Sequence, residues 1–122
     1  MRDQQIVQHR VSTAAVKIES AKLMLRTDAL AAQEEANNHV VPDLQQKLRY
    51  KRNAAYAATL CMEAVDALHA VTGATGIYQS YPLERIFRDA HALGAHISLN
   101  FDAQAPAWGL VALGGDVVNP TL

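Results

Sequence analysis

The chain has 122 residues, half of them hydrophobic and 19% charged, with a net charge near −1. That size fits one compact domain with one core, and the charge balance excludes a basic field for nucleic acid or anionic lipid. No run approaches the roughly 20 apolar residues of a membrane helix, and the polar start "MRDQQIVQHR" lacks the apolar centre of a signal peptide. The single cysteine, Cys61, cannot form an internal disulfide, so a cytoplasmic location is expected.

From about residue 2 to 37 there is neither Pro nor Gly, and Val7, Val11, Ala14, Ile18, Ala21, Leu25 and Ala32 follow one another at alternating spacings of four and three. Only Asp28 breaks the series. This keeps one apolar stripe on one helix face and predicts a long helix packed nearly parallel to others. Arg10, Lys17, Lys22 and Glu34 lie outside the stripe as a solvated face. Asn37 and Asn38 suit the end of that helix, and Pro42–Asp43 the start of the next.

The second helix is expected over about 43–71. It carries two stripes: Leu44, Leu48, Ala55, Ala58, Met62 and Val65, then Ala54, Ala57, Cys61, Ala64, Leu68 and Val71. Two apolar sides imply neighbours on two sides, and the alanines allow close approach. On this reading Cys61 is a small core residue. The basic run "QQKLRYKR" projects from the core or meets an acidic neighbour.

Gly73 and Gly76 end that helix, Gly73 being suited to a left-handed conformation. Pro82 fits the first turn of a third helix over about 82–98, with Ser80 as a candidate cap. Leu83, Ile86, Ala90, Leu93 and Ile97 form its expected buried stripe, with Glu84–Arg88 and Arg85–Asp89 as surface i,i+4 pairs. Residues 100–122 hold prolines and glycines and read as an irregular tail, with a short helix near Gln104 to Leu113 at best. The fold class is all-α: long antiparallel helices forming part of a four-helix bundle, its fourth helix supplied by this chain, a missing segment or another copy.

Spacing alone supplies little chemistry. His9, His39 and His69 are isolated, and His91 and His96 are separated by about 140° around a helix, so no metal site is expected. "GATG" fits neither a P-loop nor a dinucleotide fingerprint, since no strand precedes it.

The run "TGATGIYQSYPLERIFRDAHALGAH", Thr72 to His96, resembles the C-terminal helical domain of the acyl-CoA dehydrogenase superfamily. There a glycine turn after a long helix leads to Pro-Leu-Glu-Arg, here Pro82 to Arg85, and then to Arg-Asp-Ala, here Arg88 to Ala90. Many dehydrogenases of the superfamily follow this with a tyrosine-glutamate segment whose glutamate is the base. This chain has "RDAHALGAHISLNFD", with no carboxylate after Asp89 until Asp102. A histidine eight residues after the arginine, His96 after Arg88, is similar to the flavin-dependent monooxygenase branch, as is "AWGLVALG".

That resemblance implies a two-component aromatic hydroxylase. Its reduced flavin, FMN or FAD, comes from a separate reductase and reacts with oxygen to give a C4a-hydroperoxide, which oxidises a small aromatic or heteroaromatic substrate. It implies His96 as the catalytic hydrogen-bonding residue, against a packed or capping histidine. It implies His91 as a substrate contact, and Gly73, Gly76 and Arg85 as cofactor contacts. A plain helix end explains Gly73 equally well, and a salt bridge to Asp89 explains Arg85. It further implies self-association as a dimer or tetramer, and no nucleic-acid or membrane partner. Enzymes of this kind are about three times as long, so the chain is expected to be a fragment that does not catalyse alone. Two alternatives stand beside this reading: an acyl-CoA dehydrogenase domain with its base elsewhere, and a non-catalytic helical oligomerisation module.

Overall fold

A computed structural model describes residues 3–74 and 80–118. Four helices follow in order: α1 (Gln5–Asn37), α2 (Leu44–His69), α3 (Pro82–Gly94) and α4 (Phe101–Ala112), with a 3-10 turn (Ile97–Leu99) between the last two. Among the described residues there is no strand. The all-α expectation holds, and α1 and α2 fall within a few residues of their expected bounds.

The four-three stripe of α1 meets α2 through small side chains at its centre, while Val11, Leu25 and Ala32 of the expected stripe are exposed. Ala14 packs with Ala64 and Ala67, flanked by Ile18 and Leu68, and Ala21 packs with Ala57 and Leu60, flanked by Met24. Alanine contacts let the helix axes approach closely. Each buried methyl contributes on the order of 0.8 kcal/mol, so this interface gains from length more than from any one residue. Asp28, the break in the stripe, is buried at the same seam. Its Oδ2 accepts from Asn53 Nδ2 at 2.8 Å, and Arg49 lies 3.3 Å from its Oδ1. Farther along, Lys17 of α1 pairs with Glu63 of α2. The basic run of α2 therefore meets acidic residues of α1: Arg49 meets Asp28, and Tyr50 donates to Glu35 at 3.1 Å.

α2 is the central element, packed against α1, α3, the 3-10 turn and α4. The fourth helix that its second face needs comes from this chain. α4 starts earlier than the short helix expected near Gln104 to Leu113: the Asn100 side chain accepts from Ala103 N–H at 3.2 Å and starts it, so that Pro106 is carried within a capped helix. Gly114, at φ 84, ends it. Phe101 sits against Tyr56, with ring centroids 5.1 Å apart, and Arg52 lies over the Trp108 ring at 4.0 Å.

Three local expectations are corrected. Cys61 is exposed, because the second α2 stripe wraps past the edge of the covered face. Ser80 does not cap α3; Tyr81 holds the cap position without a side-chain bond, while Pro82 takes the first turn as expected. α3 stops at Gly94 instead of reaching residue 98, and Ile86, Leu93 and Ile97 of its expected buried stripe face outward. Gly94 marks the close approach to α2: a Cβ there would collide with the Met62 side chain. No described helix is long and apolar enough to cross a membrane.

Candidate functional site on the outer face of α3

α3 has two chemically different sides. The inner side carries His91, whose Nε2 lies 2.8 Å from Asp66 Oδ1 of α2. Phe87 stands between His91 and His69, with ring centroids 4.5 Å from each. His91 thus ties α3 to α2 and does not join the other candidate residues. Its sequence-level separation from His96 by a fixed helical angle fails, because the chain leaves the helix between them.

The outer side is an open groove of about 580 Å³ lined by Asp89, Ala92, Leu93, His96 and Leu99. His96 is not a helical residue. It has an extended backbone (φ −67, ψ 134) and caps the 3-10 turn, its Nδ1 accepting from Ser98 N–H at 3.2 Å. The capping role weighed against catalysis is therefore present, but it occupies only one ring nitrogen. With Nδ1 accepting, the neutral ring carries its hydrogen on Nε2, which is left as a donor. The corner is braced by Gln104 Nε2, which donates to Ile97 O at 2.9 Å.

Arg85 stands one turn before Asp89, 3.6 Å from it, and both side chains are mostly exposed. Arg88 pairs with Glu84 at 2.7 Å. The two i,i+4 pairs are those expected. Arg85 and Asp89 share one side of α3 by their spacing of four, and His96 reaches the groove beside Asp89 from the extended turn that follows the helix. Gly73 has φ 58 with open space where a Cβ would stand; Gly76 lies outside the described residues. Sequence reasoning missed Asp89 and Leu99 as lining residues and Asp66 as the partner of His91. Asp66 had no signal, since it depends on which face of α2 receives α3.

These groups suit an aromatic ring edge: an apolar wall at Leu93 and Leu99, one imidazole N–H donor, and a guanidinium in a loose ion pair that can turn to a phosphate. Among the described residues no group of three or more His, Cys, Asp and Glu is placed to hold a metal ion.

The all-helical fold is that of an acyl-CoA dehydrogenase C-terminal-like domain. Residues 1–101 match the family described as "Acyl-CoA dehydrogenase, C-terminal domain", and the chain belongs to that family. It is 32% identical over 105 residues to the oxygenase component of p-hydroxyphenylacetate 3-hydroxylase from Acinetobacter baumannii, covering 86% of this chain and 25% of that protein. It is 33% identical over 112 residues to the oxygenase component of an FADH2-dependent resorcinol hydroxylase from a Rhizobium species, covering 88% and 27%. The structure of XiaF from a Streptomyces species, in complex with FADH2 and glycerol, superposes with a TM-score of 0.91 at 26% identity, over 99% of this chain and 31% of that one. The chain spans about a quarter of the length of these curated relatives.

Proposed function

We propose that this chain is the C-terminal domain of a flavin-dependent monooxygenase that hydroxylates a small aromatic compound, with His96 as its reacting-site hydrogen-bond donor. The observation that carries the reading is the cap on His96: Nδ1 is committed to Ser98 N–H, so Nε2–H is the free donor beside an apolar groove. The relatives whose names specify oxygenase components of aromatic hydroxylases support it, and favour it over the dehydrogenase alternative.

Reduced flavin, when bound, supplies the activation of oxygen. The residues of this chain orient, exclude water and handle protons. Nε2–H of His96 donates to an oxygen held in the groove, and Leu93 and Leu99 keep that side apolar, which strengthens the bond. Arg85 holds a phosphate of the cofactor by opening its pair with Asp89, and the uncluttered backbone at Gly73 admits a close neighbour. His91 has its Asp66 bond to hold α3 and contributes indirectly. A separate reductase delivers the flavin, the protein self-associates, and a cytoplasmic location goes with the exposed, free Cys61.

The test uses the polypeptide encoded by the whole reading frame, supplied with a flavin reductase, oxygen and either p-hydroxyphenylacetate or resorcinol. Flavin-dependent hydroxylation is expected. Removing a donor to developing charge in a dry site costs about 10²–10³ in rate, so His96→Ala should release hydrogen peroxide in place of product. A His96→Ala variant that hydroxylates with unchanged coupling would reduce His96 to a cap.

A further inference from the structure

α3 carries no fully buried residue. It is held to α2 by half-buried and exposed contacts: Phe87 between two imidazoles, the His91–Asp66 bond, and Gly94 against Met62. The last of these lies closest in sequence to His96. At Gly94 the Met62 side chain fills the place that a Cβ would take, so its sulfur lies against the end of α3 with no spare room. Met62 also borders a cleft of about 290 Å³ between α2 and the start of α4, lined with it by Gly94, Leu99, Phe101 and Asp102. Leu99 borders both this cleft and the outer groove that His96 lines. One thioether thus supports the corner of the candidate site and is open to small solutes.

We infer that Met62 is a redox-sensitive site, oxidised to the sulfoxide by hydrogen peroxide, and that its oxidation withdraws support from the turn that aims His96. A sulfur lone pair attacks one peroxide oxygen, and the S–O bond forms as the O–O bond breaks. The departing hydroxide takes the proton of the transferred hydroxyl and leaves as water. The thioether is oxidised and the peroxide reduced, two electrons passing between them. The oxidant is a by-product of the reaction proposed above, since reduced flavin that consumes oxygen without hydroxylating substrate yields hydrogen peroxide. That source rests on the proposed function; the reactivity of Met62 does not. Sulfoxide formation turns a flexible apolar group into a polar one. No oxygen fits between the sulfur and Gly94, so it points into the cleft bordered by Leu99, or the side chain leaves Gly94. Either outcome shifts the Gly94–Leu99 corner, because α3 has no buried anchor to hold it in place. Met24, the other described methionine, packs against Ala21, Ala57 and Leu60 and serves as an internal comparison.

Graded hydrogen peroxide applied to the chain, followed by peptide mass spectrometry, should add one oxygen to Met62 before Met24. Hydrogen exchange over residues 90–96 should then quicken in the oxidised chain. It should not quicken in peroxide-treated Met62→Leu, whose similar volume keeps the contact without the sulfur. In the whole reading frame, supplied with reductase, oxygen and p-hydroxyphenylacetate or resorcinol, prior peroxide should lower the ratio of product formed to flavin oxidised. A displacement on the order of 1 Å at a positioned group can cost about 10² in rate, so the loss should be large. Methionine sulfoxide reductases should restore the ratio, and Met62→Leu should keep it. Met62→Gln, polar at similar length, should lower it with no peroxide added. The ratio does not depend on how much enzyme is folded, so a loss of stability alone would leave it unchanged. Oxidation of Met24 first, or an equal loss of coupling in Met62→Leu, would overturn the inference. A reading frame that hydroxylates neither compound would count against the proposed function and its peroxide, and Met62 would then stand or fall on the order of oxidation and the exchange result.

Discussion

Asp28 and Asn53 show how much rests on single residues in a core built of alanine. Asn53 donates to Asp28 Oδ2, while Arg52 donates to Asn53 Oδ1 at 3.0 and 2.7 Å. Asp28 Oδ1 has the Arg49 ion pair but no hydrogen bond. Asn53→Ala therefore leaves a buried carboxylate short of a partner and should cost about 1–3 kcal/mol in urea unfolding. Replacing both residues with leucine should cost less than the single change, because it removes the need for a partner as well as the partner. A change indistinguishable from zero for Asn53→Ala would mean that solvent reaches Asp28. Tyr50, a few residues away, accepts from Gln46 at 2.7 Å and donates to Glu35. Burial of the phenol, with some help from the Glu35 carboxylate and against the Gln46 amide, raises its pKa above the ordinary value. The folded state then holds this proton more tightly than the unfolded chain. That contribution to stability is full at pH below the ordinary phenol value and is lost as pH rises through the raised one. Ultraviolet titration of wild type against Tyr50→Phe should assign the late-ionising phenol, and Glu35→Gln should bring it down.

At the scale of elements, the bounds of α1 and α2 were legible to within a few residues, while the end of α3 and the start of α4 were not. The four-three stripe of α1 and the alanine stripes of α2 reflect burial patterns that sequence carries directly. The start of α4 was placed too late because Pro106 and neighbouring glycines read as breakers, whereas Asn100 caps its start and Gly114 closes its end. The capping function of Asn100 depends on the chain having just left the 3-10 turn, which no local pattern announced. The end of α1 shows the same chemistry with an unexpected residue. Val40 N–H bonds Glu35 O at 2.8 Å and His39 N–H bonds Ala36 O at 3.2 Å, the paired closure that favours glycine. His39 fills the left-handed position at φ 55. A side chain there costs roughly 1–2 kcal/mol of strain, part of which glycine would forfeit through unfolded-state entropy. His39→Gly should therefore stabilise the chain by about 0.5–1 kcal/mol in thermal or urea unfolding. A loss of stability would show that the imidazole makes a contact worth more than the strain.

For the whole molecule, the candidate site was legible by resemblance and its geometry was not. The Pro82 to Ala90 motif located α3 and pointed to His96, but a helix drawn to residue 98 would have aimed the ring by helical angle. The chain instead turns at Gly94 to Ala95, and the Ser98 cap, not helical register, decides which imidazole nitrogen is free. The same turn leaves Leu93 and Ile97 outward, on a face that the described residues leave exposed. A groove open along one side presents one wall to a ligand. Affinity for a flavin needs most of its ring system enclosed, and on the proposed reading the groove of Leu93, His96 and Leu99 supplies one wall. Anaerobic titration of the 122-residue chain with reduced FMN or FAD should accordingly give weak binding, with a dissociation constant of about 0.1 mM or higher, which is about −5.5 kcal/mol or weaker. The whole reading frame, if it adds the opposing wall, should bind at least about a hundredfold tighter, and His96→Ala should reduce that gain only slightly, because its hydrogen bond matters most to reacting oxygen and not to the resting ring. Tight, stoichiometric binding by the short chain would mean that its own residues, or a second copy across the α3 face, already enclose the flavin.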